Sequence, residues 1–76
     1  MTQSEWREIF GDNLKSILEE RGMSQRDLAN DTGLSNSRIN EYIKGNTTPN
    51  IFAIINMAYV LDIDIDEFVD FEDTIE

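Results

Sequence analysis

Neither cysteine nor histidine occurs in these 76 residues, and proline occurs once. Without cysteine there is no disulfide framework, no thiolate metal site and no thiol redox chemistry. Without histidine the usual general base and the commonest metal ligand are also missing. No nucleophile–base pair can be assembled from what remains, so the chain is expected to be non-catalytic, with no cofactor, metal or small-molecule substrate. Long apolar runs are absent too. A stretch such as Ile51 to Ile55 falls far short of the roughly 20 residues that span a bilayer. The first residues lack a basic segment followed by an apolar one, so no secretory signal is read. A cytoplasmic protein with no membrane partner is the expectation.

Basic residues are scarce: six Lys and Arg stand against sixteen Asp and Glu, for a net charge of −10. Such a balance argues against a polyanionic partner unless the charge is segregated. It is. Residues 61 to 76 hold eight acids (Asp62, Asp64, Asp66, Glu67, Asp70, Glu72, Asp73 and Glu76) and no base. Residues 24 to 49 hold Arg26, Arg38 and Lys44 against Asp27, Asp31 and Glu41, so 3 − 3 leaves them neutral. An acidic segment pointing elsewhere is screened over a Debye length of about 8 Å, so it weakens contact with a polyanion without forbidding it. The length suits one domain that hides only about 60% of its unfolded surface, which favours support from a partner.

The most informative stretch runs from Ser24 to Gly45. Ser24 with Asp27 three residues on forms a capping box that starts a helix. Leu28 and Ala29 turn inward, and Gly33 suits the left-handed residue at which a helix stops. Ser35 caps a second helix whose buried stripe is Ile39, Tyr42 and Ile43, closed by Lys44 and Gly45. At about 100° per residue, the opposite side carries Ser37, Asn40, Glu41 and Lys44, flanked by Asn36 and Arg38. These side chains suit base edges: Asn toward adenine, Arg toward guanine, Glu toward cytosine.

Gln25, Leu28, Ala29, Gly33, Ile39, Gly45 and Pro49, in this order and spacing, resemble the lambda-repressor-like (Cro/XRE-type) helix-turn-helix family, and the similarity runs from about Phe10 to Phe68. In that family the first helix of the pair crosses the DNA backbone and the second enters the major groove. The resemblance implies that Gln25 binds phosphate and braces the second helix, with Arg26 beside it on the backbone. It places Asn36, Ser37 and Glu41 at base-reading positions, with Arg38 and Asn40 as neighbours. It also lays the loop after the second helix on phosphate, making Lys44, Asn46 and Thr47 contacts. Ile43 departs from the pattern, since many members carry Glu there.

Around this pair, Thr2 with Glu5 opens a first helix over about residues 4–21, with Trp6, Ile9, Phe10, Leu14, Ile17 and Leu18 on its apolar stripe. Gly11 is expected to soften or bend it, at roughly 1 kcal/mol relative to alanine. Pro49 stops the second helix of the pair, and Asn50 caps a core helix over 51–61. Its stripe is read as Ile51, Ile54, Ile55, Ala58 and Leu61, with Met57 and Tyr59 partly outside. Asp64 with Glu67 starts a last helix over 65–70. The expected fold is all-α: a compact five-helix lambda-repressor-like domain, with helices at about 4–21, 25–32, 36–44, 51–61 and 65–70. The run from Asp62 to Asp66 begins like a calcium loop, but the sixth position is Glu67 where glycine is needed. Asn46-Thr47-Thr48 matches a glycosylation sequon, which is idle without secretion.

Together these features point to a sequence-specific, double-stranded DNA-binding transcriptional regulator of the phage or prophage repressor type. Residues 1–70 would form the DNA-binding domain and 71–76 an acidic tail. One small domain makes few contacts, whereas half-sites about 34–36 Å apart double them, so a homodimer is expected. Phe68, Val69, Phe71 and Ile75 are its candidate contacts. The alternative is an acidic interaction module, antirepressor or antitoxin-like, which keeps the fold without reading DNA.

Overall fold

Side chains just outside each helix satisfy its free backbone donors and so fix where it begins. In the computed structural model, which describes residues 1–69, helix α1 (Gln3–Arg21) starts at Thr2. The Thr2 hydroxyl accepts from the Glu5 N–H, and the Glu5 carboxylate accepts from the Thr2 N–H, both at 3.1 Å. Ser24 and Asp27 repeat the arrangement at 3.0 Å to open α2 (Gln25–Thr32). The Ser35 hydroxyl accepts from Arg38 N–H at 3.1 Å to open α3 (Asn36–Ile43). Asn50 Oδ1 accepts from Ala53 N–H at 2.8 Å to open α4 (Ile51–Leu61). The two reciprocal boxes hold the Glu5 and Asp27 carboxyls below their ordinary range, chiefly through the backbone N–H each receives.

The fold is all-α, with four α-helices rather than five among the described residues. In place of the expected last helix stands a single 3-10 turn, Ile65–Glu67. After α4, Asp62 adopts a left-handed conformation (φ 55°), which a short polar side chain tolerates. The chain then closes i to i+3 bonds, Glu67 N–H to Asp64 carbonyl and Phe68 N–H to Ile65 carbonyl. Helix α3 stops at Ile43, with Lys44 as its cap.

Phe10 is the hub of the core. Its ring stacks on Trp6 (centroids 5.3 Å apart), meets Tyr42 edge-on (6.4 Å) and lies against Phe68 (4.8 Å). Asn13 Nδ2 donates to the Phe68 carbonyl at 2.6 Å and holds the end of the described chain on α1. Phe68 and Val69 are therefore buried, which removes them as dimer contacts. Phe71 and Ile75 lie outside the described residues, as does the 71–76 segment.

Helix α1 runs unbroken through Gly11. A Cβ at that position would stand 2.6 Å from the carbonyl oxygens of both Tyr42 and Ile43, so glycine here lets α1 cross the end of α3 at backbone distance.

The buried side of α4 is Ala53, Ile54, Met57, Ala58 and Leu61. Met57 is fully buried, whereas Ile51 is 66% exposed and Ile55 51% exposed, the reverse of the sequence expectation. The physical reason is that α4 carries no charged side chain, so its polarity pattern does not distinguish inside from outside. Tyr59 is exposed, as expected. Among the described residues, no helix is long and apolar enough to cross a membrane.

Candidate nucleic-acid interface

Two short helices, α2 and α3, pack against each other around the turn Gly33–Ser35. Gly33 takes the left-handed conformation (φ 79°) and its N–H reaches the Ala29 carbonyl at 2.9 Å, ending α2. Thr32 then locks the turn. Its hydroxyl donates to the Leu28 carbonyl (2.7 Å) and accepts from the Leu34 N–H (3.2 Å). From α4, Asn56 Nδ2 donates to the Thr32 carbonyl at 2.9 Å. Neither residue is singled out by the sequence reading, although a lone amide in an otherwise apolar α4 is a visible signal. Leu28, Ala29, Ile39 and Tyr42 bury the facing sides of the pair.

This scaffold leaves the outer edge of α3 free. Asn36, Ser37 and Arg38 are exposed at its first turn, and Asn40 and Glu41 are half-buried one turn on. Lys44, Asn46 and Thr47 are exposed where the chain leaves α3. At the start of α2, Arg26 is exposed and Gln25 half-buried, with no hydrogen bond from Gln25 to α3 among the described residues. Ser37, Glu41 and Lys44 follow at four- and three-residue steps along one side, and Asn36 sits four residues before Asn40.

One pairing was not foreseen. Asn46 Nδ2 donates to a Glu41 carboxylate oxygen at 2.9 Å, and Asn46 N–H donates to the Glu41 carbonyl at 3.0 Å. The expected base reader and the expected phosphate contact are thus joined, leaving the second Glu41 oxygen to accept from elsewhere. Beside them Arg38, Tyr42, Thr48 and Asn50 help to line a polar crevice of about 270 Å³ between α3 and the start of α4. The arrangement offers donors and acceptors along a convex rod, which suits a groove.

A helix held out by a partner helix across a tight turn, with a polar outer edge, defines the helix-turn-helix class. The family model described as Helix-turn-helix matches residues 14–68, and the chain belongs to this family, of the Cro/C1 type. Its coarse function follows: a DNA-binding transcription regulator of the XRE type. Among solved structures, the chain is similar to the restriction-modification controller protein C.AhdI from Aeromonas hydrophila. Identity is 29% over 82% of this chain and 94% of that one, with a TM-score of 0.78. It also shares its fold with an HTH_3-family transcriptional regulator from Vibrio cholerae, at 22% identity and a TM-score of 0.87. That match covers 96% of this chain but 41% of the other, so the chain spans under half of that regulator. No curated protein matches the chain significantly.

Proposed function

We propose that the chain is a sequence-specific repressor that acts in the cytoplasm as a homodimer, laying α3 in the major groove of double-stranded DNA. The observation that carries this reading is the free outer edge of α3, with Asn36, Ser37 and Arg38 exposed beside a turn braced by Thr32 and Asn56. In this reading Asn36, Ser37, Arg38, Asn40 and Glu41 meet base edges, while Gln25, Arg26, Lys44, Asn46 and Thr47 meet phosphates. Residues 1–70 act as the binding domain and 71–76 as an acidic extension. No catalysis is involved. The likeness to C.AhdI, itself a controller protein, supports a regulator, and the phage or prophage repressor is the setting proposed for it.

The dimer contact is assigned to the outer face of α4. Ile51, Phe52, Ile55 and Tyr59 are all exposed there, and large exposed apolar patches mark interaction surfaces. Two copies that each carry a net charge of −10 repel, so they meet most favourably on a charge-free surface. Of the four helices, only α4 lacks charged residues. A twofold axis across this face makes the contact isologous.

Selection of sequences from a random duplex pool tests the reading. The expected result is an enriched inverted repeat with half-sites about one helical turn, 34–36 Å, apart. Recovery of no motif at low salt would overturn it in favour of the acidic interaction module.

A further inference from the structure

Gln3, Arg7 and Gly11 follow one another at four-residue steps on a single face of α1. Both ends of this row are pinned. Gln3 Nε2 donates to Thr48 Oγ1 at 3.1 Å, and Gly11 lies against the Tyr42 and Ile43 carbonyls. Arg7, between them, therefore faces the loop that joins α3 to α4. The backbone agrees: a Cβ placed on Gly45 would stand 3.5 Å from both the Arg7 carbonyl oxygen and the Glu8 Cα. This face precedes residue 14, where the family match begins, so the matched segment does not include it.

Arg7 is half-buried, and its Nε is buried with no hydrogen-bond partner among the described residues. A desolvated donor without an acceptor is costly, and more so on a charged group. The Arg7 backbone passes beside Gly45, just after the C-terminal end of α3, where a helix dipole favours a cation. Lys44, Asn46 and Thr47 are exposed on the loop that Arg7 faces.

We infer that Arg7 is a phosphate-binding residue, which adds a DNA backbone contact from α1 beside Lys44. The guanidinium is planar and forked, so one phosphate can take two of its donors at once. A phosphate would be met by the terminal guanidinium nitrogens, the Nε itself being buried. Arg7 would contribute affinity and register without selecting a base. The inference rests on the DNA-binding reading above.

The test uses the full chain and the duplex motif recovered by selection, with binding measured across a salt series for wild type, Arg7→Ala, Arg7→Gln and Arg7→Lys. Neutralising one phosphate contributes about 0.9 to the slope of log K against log salt on B-DNA. Arg7→Ala is expected to remove that amount, so its deficit against wild type shrinks about 3.5-fold between 50 and 200 mM salt. Arg7→Lys should restore most of the slope, and the enriched motif should stay the same. Arg7→Gln keeps an amide donor and much of the packed stem, so it provides the neutral comparison if the alanine variant unfolds. A folded neutral variant with the wild-type slope, while wild type binds, overturns the Arg7 assignment alone. Wild type that binds no duplex overturns the DNA reading and Arg7 with it.

Discussion

A methyl group added at position 11 has nowhere to go. Its carbon would sit 2.6 Å from two carbonyl oxygens at the end of α3, and backbone cannot swing aside as a side chain can. Gly11→Ala gains about 1 kcal/mol of helix propensity. Overpacking against α3 is expected to outweigh this and to lower stability by about 1–3 kcal/mol net, read as a lower urea midpoint. A variant as stable as wild type would show that the crossing of α1 over α3 is looser than described. On the outer edge, Asn36→Ala is the cleaner probe of base reading, because Glu41 is also tied to Asn46. It is expected to cost about 1–3 kcal/mol in binding and to relax preference at one base pair, measured against a set of singly substituted duplexes. Lys44→Ala should instead weaken all duplexes alike and lower the salt slope by about 1.

At the scale of elements, helix limits were legible because they are set by local chemistry. Ser24 with Asp27, Ser35, Asn50 and the stop at Gly33 each act within a few residues of themselves, so adjacent letters suffice to find them. The caps also carry a pH signature. Asp27 titrates below its ordinary range because it accepts the Ser24 N–H, so its contribution is full at neutral pH and fades as pH falls below about 4. The stability gap between wild type and Asp27→Ala should accordingly close on acidification, followed by denaturant titration at several pH values. A gap that persists at pH 2 would contradict the role of the charged form. What was not legible depends on distant partners. The sequence placed Ile54, Ala58 and Leu61 of α4 correctly but misjudged Ile51, Ile55 and Met57, because every candidate side chain there is apolar and only packing on the rest of the fold chooses between them. It missed the close packing at Gly11 for the same reason, since the α3 carbonyls lie some thirty residues away in sequence. The exposure of Asn36, Ser37 and Arg38 on α3 was legible in the pattern. The Glu41–Asn46 bond was not, because it depends on how the loop after α3 folds back.

For the molecule as a whole, charge and apolar surface set up opposing salt responses. Two copies of an acidic chain repel less as salt rises, whereas the phosphate contacts of a DNA complex weaken. Dimerisation through α4 should therefore tighten with salt while operator binding loosens, a divergence that sedimentation and binding titrations can follow in parallel. Phe52→Glu places a carboxylate on each side of the proposed twofold contact. It is expected to yield a folded monomer, since Phe52 is 67% exposed and contributes little to the core. An unaltered dimer would move the contact off α4.

Asn56 ties α4 to the turn between α2 and α3. The helix whose outside is offered to a second copy reaches, through one inward amide, the corner between the two helices of the reading head. In the proposed dimer, tilt at the seam between subunits would pass to both reading edges through this bond, so the pair would act as a fixed-gauge caliper. Asn56→Ala should leave each jaw intact but let the gauge wander, seen as tolerance of operators whose halves are one base pair too near or too far apart.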